Sequence, residues 1–439
     1  MRKIALLFFL LVIFQNSLHA QEVSFAKLDS LFLILEENDR WMGSFSMSHD
    51  GKEIYKKSIG YADIANEIPN HKNTKFRVGS ISKMFTSVLV FMAAEDGLLT
   101  LSDTIEVYFP DVPNAEKITI GNLLNHRSGI FNFTSNPLYL QWSTQPKTRE
   151  ELIEIISETE SVFEPNSKAE YSNSNYVLLT FILEDTFKKS YADLVSERIV
   201  NPLKLPNTYL GGKTDISTNE SYSYKFTDTW KKESETNMSI PLGAGAMVST
   251  PSDLNMFITG LFAEKLISQK SLDQMKTITD GYGKGIFQMP FYDKKGFGHN
   301  GGIDGFTSML GYLPEDQLAF SVTSNGSRIN NNDIVIAALS SYFNKPFELP
   351  SFQTITVKPE MLKYYVGTYA SNDISLKITI SHNENGLMAQ ATGQPSFPLE
   401  ATAKDTFEFQ QAGVRLEFDA ENSTMVLKQA GKVYNYTKE

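Results

Sequence analysis

Residues 80–94 read SISKMFTSVLVFMAA, with no glycine, no proline and one charge, Lys83. Glu95, Asp96 and Gly97 follow as a polar end and a helix stop. A helix that is apolar on every side has to be enclosed by protein on every side, so this segment reads as a central element around which other elements are laid. Its lysine is the anomaly. A lone ammonium in such surroundings costs on the order of several kcal/mol unless it is paired, hydrogen-bonded or deprotonated. Ser80 stands three residues earlier, on the same helix face, so the Lys83 amine can reach the Ser80 hydroxyl at the positive end of the helix dipole.

The pattern on either side says what encloses that helix. Residues 23–37 have helical spacing, with Phe25, Leu28, Leu31, Phe32 and Leu35 on one face. Strand patterns follow at 43–48 and 53–61, joined through Asp50-Gly51, a hairpin signal. Residues 118–237 carry mostly helical pattern, broken by polar loops. Strand patterns return at 298–302, 306–313 and 318–324, and an amphipathic stretch at 333–343 closes the region. Strands at front and back with helices between predict an α+β fold: an antiparallel sheet flanked by helices, with an inserted all-helical lobe. Beyond Pro346 and Pro350 the texture changes to short alternating runs, at 375–380, 406–410, 414–419 and 424–429. These predict a separate β-barrel or sandwich of about eight strands. The expected division is a segment at 1–20, an α+β domain at 21–348 and a small all-β barrel domain at 355–439.

The first segment reads as a signal peptide. Met1-Arg2-Lys3 precede an apolar run at 4–14, and Leu18-His19-Ala20 gives a cleavage site after Ala20. The chain is therefore expected to be exported, to a periplasm or outside the cell. No later segment is apolar for the ~18 residues that a span requires, so no integral membrane segment is expected after cleavage. The formal charge of −11 becomes −13 once Arg2 and Lys3 are removed. That acidity opposes nucleic acid and anionic membrane surfaces as partners. With Cys 0 there is neither a disulfide nor a thiol to carry a lipid. The histidines, His19, His49, His71, His126, His299 and His382, show no zinc-ligand spacing. No metal and no cofactor is expected, and G-x-S-x-G and Walker motifs are absent.

Three further fragments carry chemistry. Tyr171-Ser172-Asn173 offers a phenol that can serve as a general base if a nearby ammonium, for which Lys83 is the candidate, lowers its pKa from about 10. His299-Asn300-Gly301-Gly302 lies on a strand pattern whose glycines let a substrate approach the backbone. Residues 243–251, GAGAMVSTP, form a small-residue run ahead of a helix.

Taken in order, SISK, YSN and HNG resemble the active-site motifs of the serine β-lactamase and penicillin-binding protein superfamily, especially its class C β-lactamase-like branch. That branch includes D,D-carboxypeptidases, D-aminopeptidases and esterases. The resemblance spans about residues 24–345, with LLNHRSGI at 123–130 and GAGAMVSTPSDL at 243–254 in support. It implies an active site in the cleft between the sheet and the helical lobe. Ser80 would be the acylated nucleophile, and Lys83 and Tyr171 would share the proton transfers, either of them as base. Asn173, His299, Asn300 and Gly301 would contact substrate, and the backbone N–H groups of Ser80 and Gly302 would form the oxyanion hole. His126, in its H-x-S-G-like turn, reads as structural. The tail resembles the lipocalin-like domains of some relatives, on Val366-Gly367-Thr368-Tyr369 and its strand pattern.

The third motif departs from that of β-lactamases. There the motif begins with Lys, or less often His, and has a hydroxyl residue second; Asn300 lacks the hydroxyl that helps hold a substrate carboxylate, and a histidine such as His299 is mostly neutral at pH 7. The resemblance therefore implies a hydrolase of small esters or amides, D-amino-acid compounds among them, ahead of a weak β-lactamase or D,D-carboxypeptidase. The reading from another class is a non-catalytic binder or sensor of peptidoglycan fragments or β-lactams. A small-molecule or peptide substrate is the expected partner, with a peptidoglycan-derived ligand as one candidate.

Overall fold

Asp50 and Gly51 both take left-handed φ, 49° and 69°, the angles that a tight hairpin turn requires. They fold the strand Trp41–His49 back onto Lys52–Ile59. The other edge of Trp41–His49 pairs antiparallel with Leu318–Ser327, from Trp41 opposite Ser327 to His49 opposite Leu318. The front and the rear of the chain thus meet in the middle of one sheet. Its order is Phe287–Gln288, Phe297–Ile303, Phe306–Leu313, Leu318–Ser327, Trp41–His49, Lys52–Ile59, antiparallel throughout. This computed structural model describes residues 23–439 except 385, 430 and 431. The signal peptide read at 1–20 lies outside the described residues.

Two cores lie on the two faces of the sheet. On one, the helices Ala26–Glu37 and Asn331–Tyr342 bury Leu28, Phe32, Leu35 and Ile334 against Phe45, Phe320 and Val322. On the other, Pro251–Phe262 packs on the strands, and the helix Ser82–Glu95 lies within the larger core. Every residue from Ser82 to Ala93 is buried. The helix Asn173–Phe187 beside it is equally enclosed, with every residue from Ser174 to Leu183 buried. It stops at Lys188, which takes a left-handed φ of 54°.

A third core belongs to the C-terminal strands. They form one nine-stranded antiparallel sheet that curls into a near-closed barrel, its ends being Phe397–Pro398 and Glu400–Ala403. Nine strands replace the expected eight because Phe397–Pro398 is too short to leave an alternating pattern. Tyr365, Tyr369, Phe407, Phe418 and Tyr436 fill the interior. The cores exchange between Phe352, which packs with the six-stranded sheet, and Val357, which packs with the barrel. Phe347, Leu349 and Phe352 all lie against the first unit. The Glu400 carboxylate ties the two units together, accepting from Arg40 at 2.7 Å and from Arg328 at 2.5 Å. Among the described residues no helix is long and apolar enough to cross a membrane.

Candidate active site

The short strand Phe76–Arg77 pairs with Met247–Ser249 and delivers the chain to Gly79, whose φ of +50° turns it sharply. A single 3-10 turn, Gly79–Ile81, leads into the helix Ser82–Glu95. Ser80 therefore sits in a tightened turn just ahead of the helix rather than in its first turn. The Ser82 hydroxyl donates to Gly79 O at 2.6 Å and accepts from the Met247 N–H at 3.0 Å, which pins the turn.

The strand Phe297–Ile303 runs directly against this turn, and its glycines divide two tasks. A Cβ on Gly301 would lie 2.0 Å from Val78 O and 3.0 Å from Ser80 N, whereas one on Gly302 meets nothing nearer than Phe306 O at 3.9 Å. Gly301 is thus a close-packing residue between two backbones, and only Gly302 opens toward substrate. This corrects the expectation that both glycines serve substrate approach. Gly301→Ala should push the strand off the Ser80 turn and lower kcat/KM by at least ~10-fold, since placement errors near 1 Å cost up to about 10²-fold. Gly302→Ala should cost far less. Equal effects in steady-state assays of the two variants would reject this division.

Lys83 is fully buried. Its Nζ lies 3.0 Å from Ser80 Oγ, 2.8 Å from Asn173 Oδ1 and 2.6 Å from Ala244 O. Burial pushes its pKa well below the usual lysine range. A neutral amine suits these three partners. In its deprotonated form the amine would donate to the carbonyl oxygens of Asn173 and Ala244 and turn its lone pair to the Ser80 O–H. Asn173 is itself held, its amide donating to Thr134 Oγ1 at 3.0 Å and its backbone N–H to Asn132 Oδ1 at 3.0 Å. Ala244 comes from the small-residue run that the sequence left without a role.

Tyr171 lies beside this pair, with Lys83 Nζ 4.9 Å from its ring centroid. Burial pushes its pKa above the usual 10; a hydrogen bond with Ser80 opposes this and the neighbouring Tyr282 adds to it. The expected depression by a Lys83 ammonium is not found: desolvation of the phenol is the largest influence, and Lys83 is not among the groups that shift it. His299 is buried, and its pKa falls to about 3, mainly through desolvation. Its Nδ1–H donates to Asn300 O at 2.5 Å, a tautomer assigned from the carbonyl it faces. Its ring packs 4.5 Å from Phe287 and 6.5 Å from Tyr171, while Asn300 is exposed. His126 takes a left-handed φ of 59°, accepts from the Ser172 N–H at 3.2 Å and stacks 4.4 Å from the Tyr171 ring. It holds the tyrosine segment in place.

Three further participants carry no motif of their own. Tyr282 packs against both Tyr171 and His126. The Ala244 carbonyl is backbone and leaves no side-chain signal. Arg77 is buried and reaches Asp304 at 2.9 Å, Glu235 at 2.7 Å, Thr236 O at 3.0 Å and Gly212 O at 2.9 Å. It clamps the chain before Ser80 to the turn after Gly302. A charge flanked by Phe76 and Val78 was its visible signal.

Above these groups opens a cavity of about 290 Å³. Ser80, Asn173, Ala244 and Gly302 border it, together with the apolar or aromatic Phe133, Tyr139 and Leu140 and the polar Glu233, Ser234, Thr236 and Asp304. A serine hydroxyl against a buried amine, beside a phenol, can attack a carbonyl carbon and move the protons this requires.

The relatives have the same character. The chain is 26% identical over 429 residues to penicillin-binding protein 4* of Bacillus subtilis (strain 168), covering 89% of this chain and 93% of that one. It is 25% identical over 321 residues to a teichoic acid D-alanine hydrolase of Staphylococcus aureus (strain MRSA252), covering 71% and 77%. Among solved structures, D-amino acid amidase from Ochrobactrum anthropi SV3 superposes with a TM-score of 0.65 at 28% identity, over 73% of this chain and 99% of that one. The family described as Beta-lactamase matches residues 38–340. That match takes in well over half of the sequence and the whole of the cleft just built, so the chain belongs to the beta-lactamase family and is a serine hydrolase.

Proposed function

We propose that the protein is an exported hydrolase that works through an acyl-enzyme on Ser80, with small esters or amides, including D-aminoacyl compounds, as substrates. The observation that carries this is the enclosed Lys83 amine, held by Asn173 and Ala244 with its remaining partner the Ser80 hydroxyl. Ser80 Oγ bonds to the substrate carbonyl carbon while its proton passes to Lys83. The backbone N–H groups of Ser80 and Gly302 receive the oxyanion, each worth about 2.7–4 kcal/mol to the transition state. As the intermediate collapses, Tyr171 gives its proton to the leaving group and takes one back from Lys83. Water then repeats the sequence against the acyl-enzyme, releasing the acid and restoring Ser80. The signal-like segment at 1–20 supports export. The S. aureus and O. anthropi relatives, named for a D-alanine hydrolase and a D-amino acid amidase, support the substrate class.

β-Lactamase or D,D-carboxypeptidase activity requires a hold on a substrate carboxylate. A neutral, buried His299 and an exposed Asn300 offer less than a Lys and hydroxyl pair by about 1.5–3 kcal/mol, one charged hydrogen bond. That is about ten- to a hundred-fold in specificity. Nitrocefin turnover should therefore be measurable but well below that of p-nitrophenyl acetate, and His299→Lys with Asn300→Thr should narrow the gap. A wild-type enzyme that prefers nitrocefin in kcat/KM would return the protein to the β-lactamases.

A further inference from the structure

The cavity over Ser80 has an unusual charge inventory. Glu233 and Asp304 border it, and neither Lys nor Arg does. Asp304 is committed: Oδ2 accepts from Arg77 at 2.9 Å, and Oδ1 accepts from the Thr236 N–H at 3.0 Å and its hydroxyl at 2.7 Å. Glu235, its neighbour in the loop, is committed too, accepting from Arg77 at 2.7 Å and from the Thr214 N–H at 3.0 Å. Glu233 differs. Among the described residues its carboxylate forms no ion pair and no hydrogen bond.

The backbone that presents it is nevertheless fixed. The Glu233 N–H donates to Ser223 O at 2.9 Å, and Glu235 and Thr236 are clamped by Arg77 and Asp304. Glu233 also borders the adjoining hollow, which Lys213 and Lys232 line, and neither lysine pairs with it. An uncommitted carboxylate on a fixed backbone at the border of the nucleophile's cavity has one natural complement, a cation on the substrate. A carboxylate there would be repelled.

We infer that Glu233 is a specificity residue that receives the free α-ammonium of an aminoacyl ester or amide whose carbonyl is attacked by Ser80. The inference rests on the acyl-enzyme reading above and narrows it. N-acylated and carboxylate-bearing substrates are disfavoured, because the first lack the cation and the second bring a charge of the wrong sign. The cavity volume, at the lower end for a small-molecule site, suits a single amino-acid residue.

The test compares D-alanine p-nitroanilide with N-acetyl-D-alanine p-nitroanilide at about pH 6.5, below the ordinary α-amino range of about 7.7–8.0. The readout is the ratio of their kcat/KM values in wild type and in Glu233→Gln. A wild-type ratio of about 10–100, the scale of one charge-assisted hydrogen bond, should fall to near 1 in the variant. A merely structural disturbance lowers both rates and leaves the ratio unchanged. A wild-type ratio at or below 1, or a ratio that survives in Glu233→Gln, overturns the inference. So does ester hydrolysis with no turnover of the free-amine anilide. p-Nitrophenyl acetate separates the two levels: if the wild type also fails on it, the acyl-enzyme reading itself has failed.

Discussion

Ser80→Ala is expected to abolish turnover of esters, amides and lactams alike, by about 10⁴–10⁶-fold in kcat, the range seen when a serine nucleophile is removed. Covalent labelling by a fluorophosphonate or a fluorescent penicillin should disappear with it. The fold should survive, because one oxygen leaves a turn that remains pinned by Ser82 between Gly79 O and the Met247 N–H. Lys83 keeps its bonds to Asn173 and Ala244. Thermal melts of the two proteins should therefore agree closely, tying the loss to chemistry. The same experiment addresses the binder or sensor reading: a protein of that kind would hold ligands without labelling at Ser80, and the substitution would change little. Near wild-type hydrolysis by Ser80→Ala would reject the nucleophile outright.

Much of this architecture was legible because it follows from local rules. An apolar run with one lysine could only be an enclosed helix, and Ser82 to Ala93 is buried throughout. Asp50-Gly51 announced a hairpin, and the separation of strand patterns required the ends of the chain to share a sheet. What stayed hidden depends on contacts between distant backbones. The Ala244 carbonyl that completes the Lys83 site has no side chain to advertise it. Whether Gly301 serves substrate or packing is decided by Val78 O, which no local pattern connects to it. The direction of the Tyr171 shift required knowing how deeply the phenol is enclosed, because desolvation is the largest influence on it. Glu233 carries no motif. Its distinction is that Glu235 and Asp304, its acidic neighbours, are engaged by Arg77 and it is not.

The second large effect concerns Lys83, and its pH dependence separates a base from a fixed positive charge. In the proposed mechanism the working form of Lys83 is the neutral amine, so protonation below its folded-state pKa removes activity and kcat/KM falls as pH drops. Because burial holds that pKa well below the usual lysine value, the acid limb should end far under 10.5 and leave a plateau at pH values where an exposed lysine would be almost wholly charged. Tyr171 acts as a phenol. Its raised pKa places the alkaline limb above about 10. His299, at about 3, remains neutral across the plateau, so His299→Gln should leave both limbs where they are. Lys83→Ala should lower kcat by about 10²–10⁴-fold, the range for a proton-transfer group. Lys83→Arg is the sharper substitution. A guanidinium keeps the positive charge but cannot give up its proton in this range, so it should fail as a base nearly as completely as alanine does. Stability carries the matching sign. Between the lowered folded pKa and the unfolded value near 10.5, the unfolded chain binds more protons at this site, so Lys83 makes the protein more stable as pH rises through that window. A Lys83→Arg enzyme that keeps substantial activity would show that Ser80 needs a nearby positive charge rather than a base, and would move the proton acceptor to Tyr171.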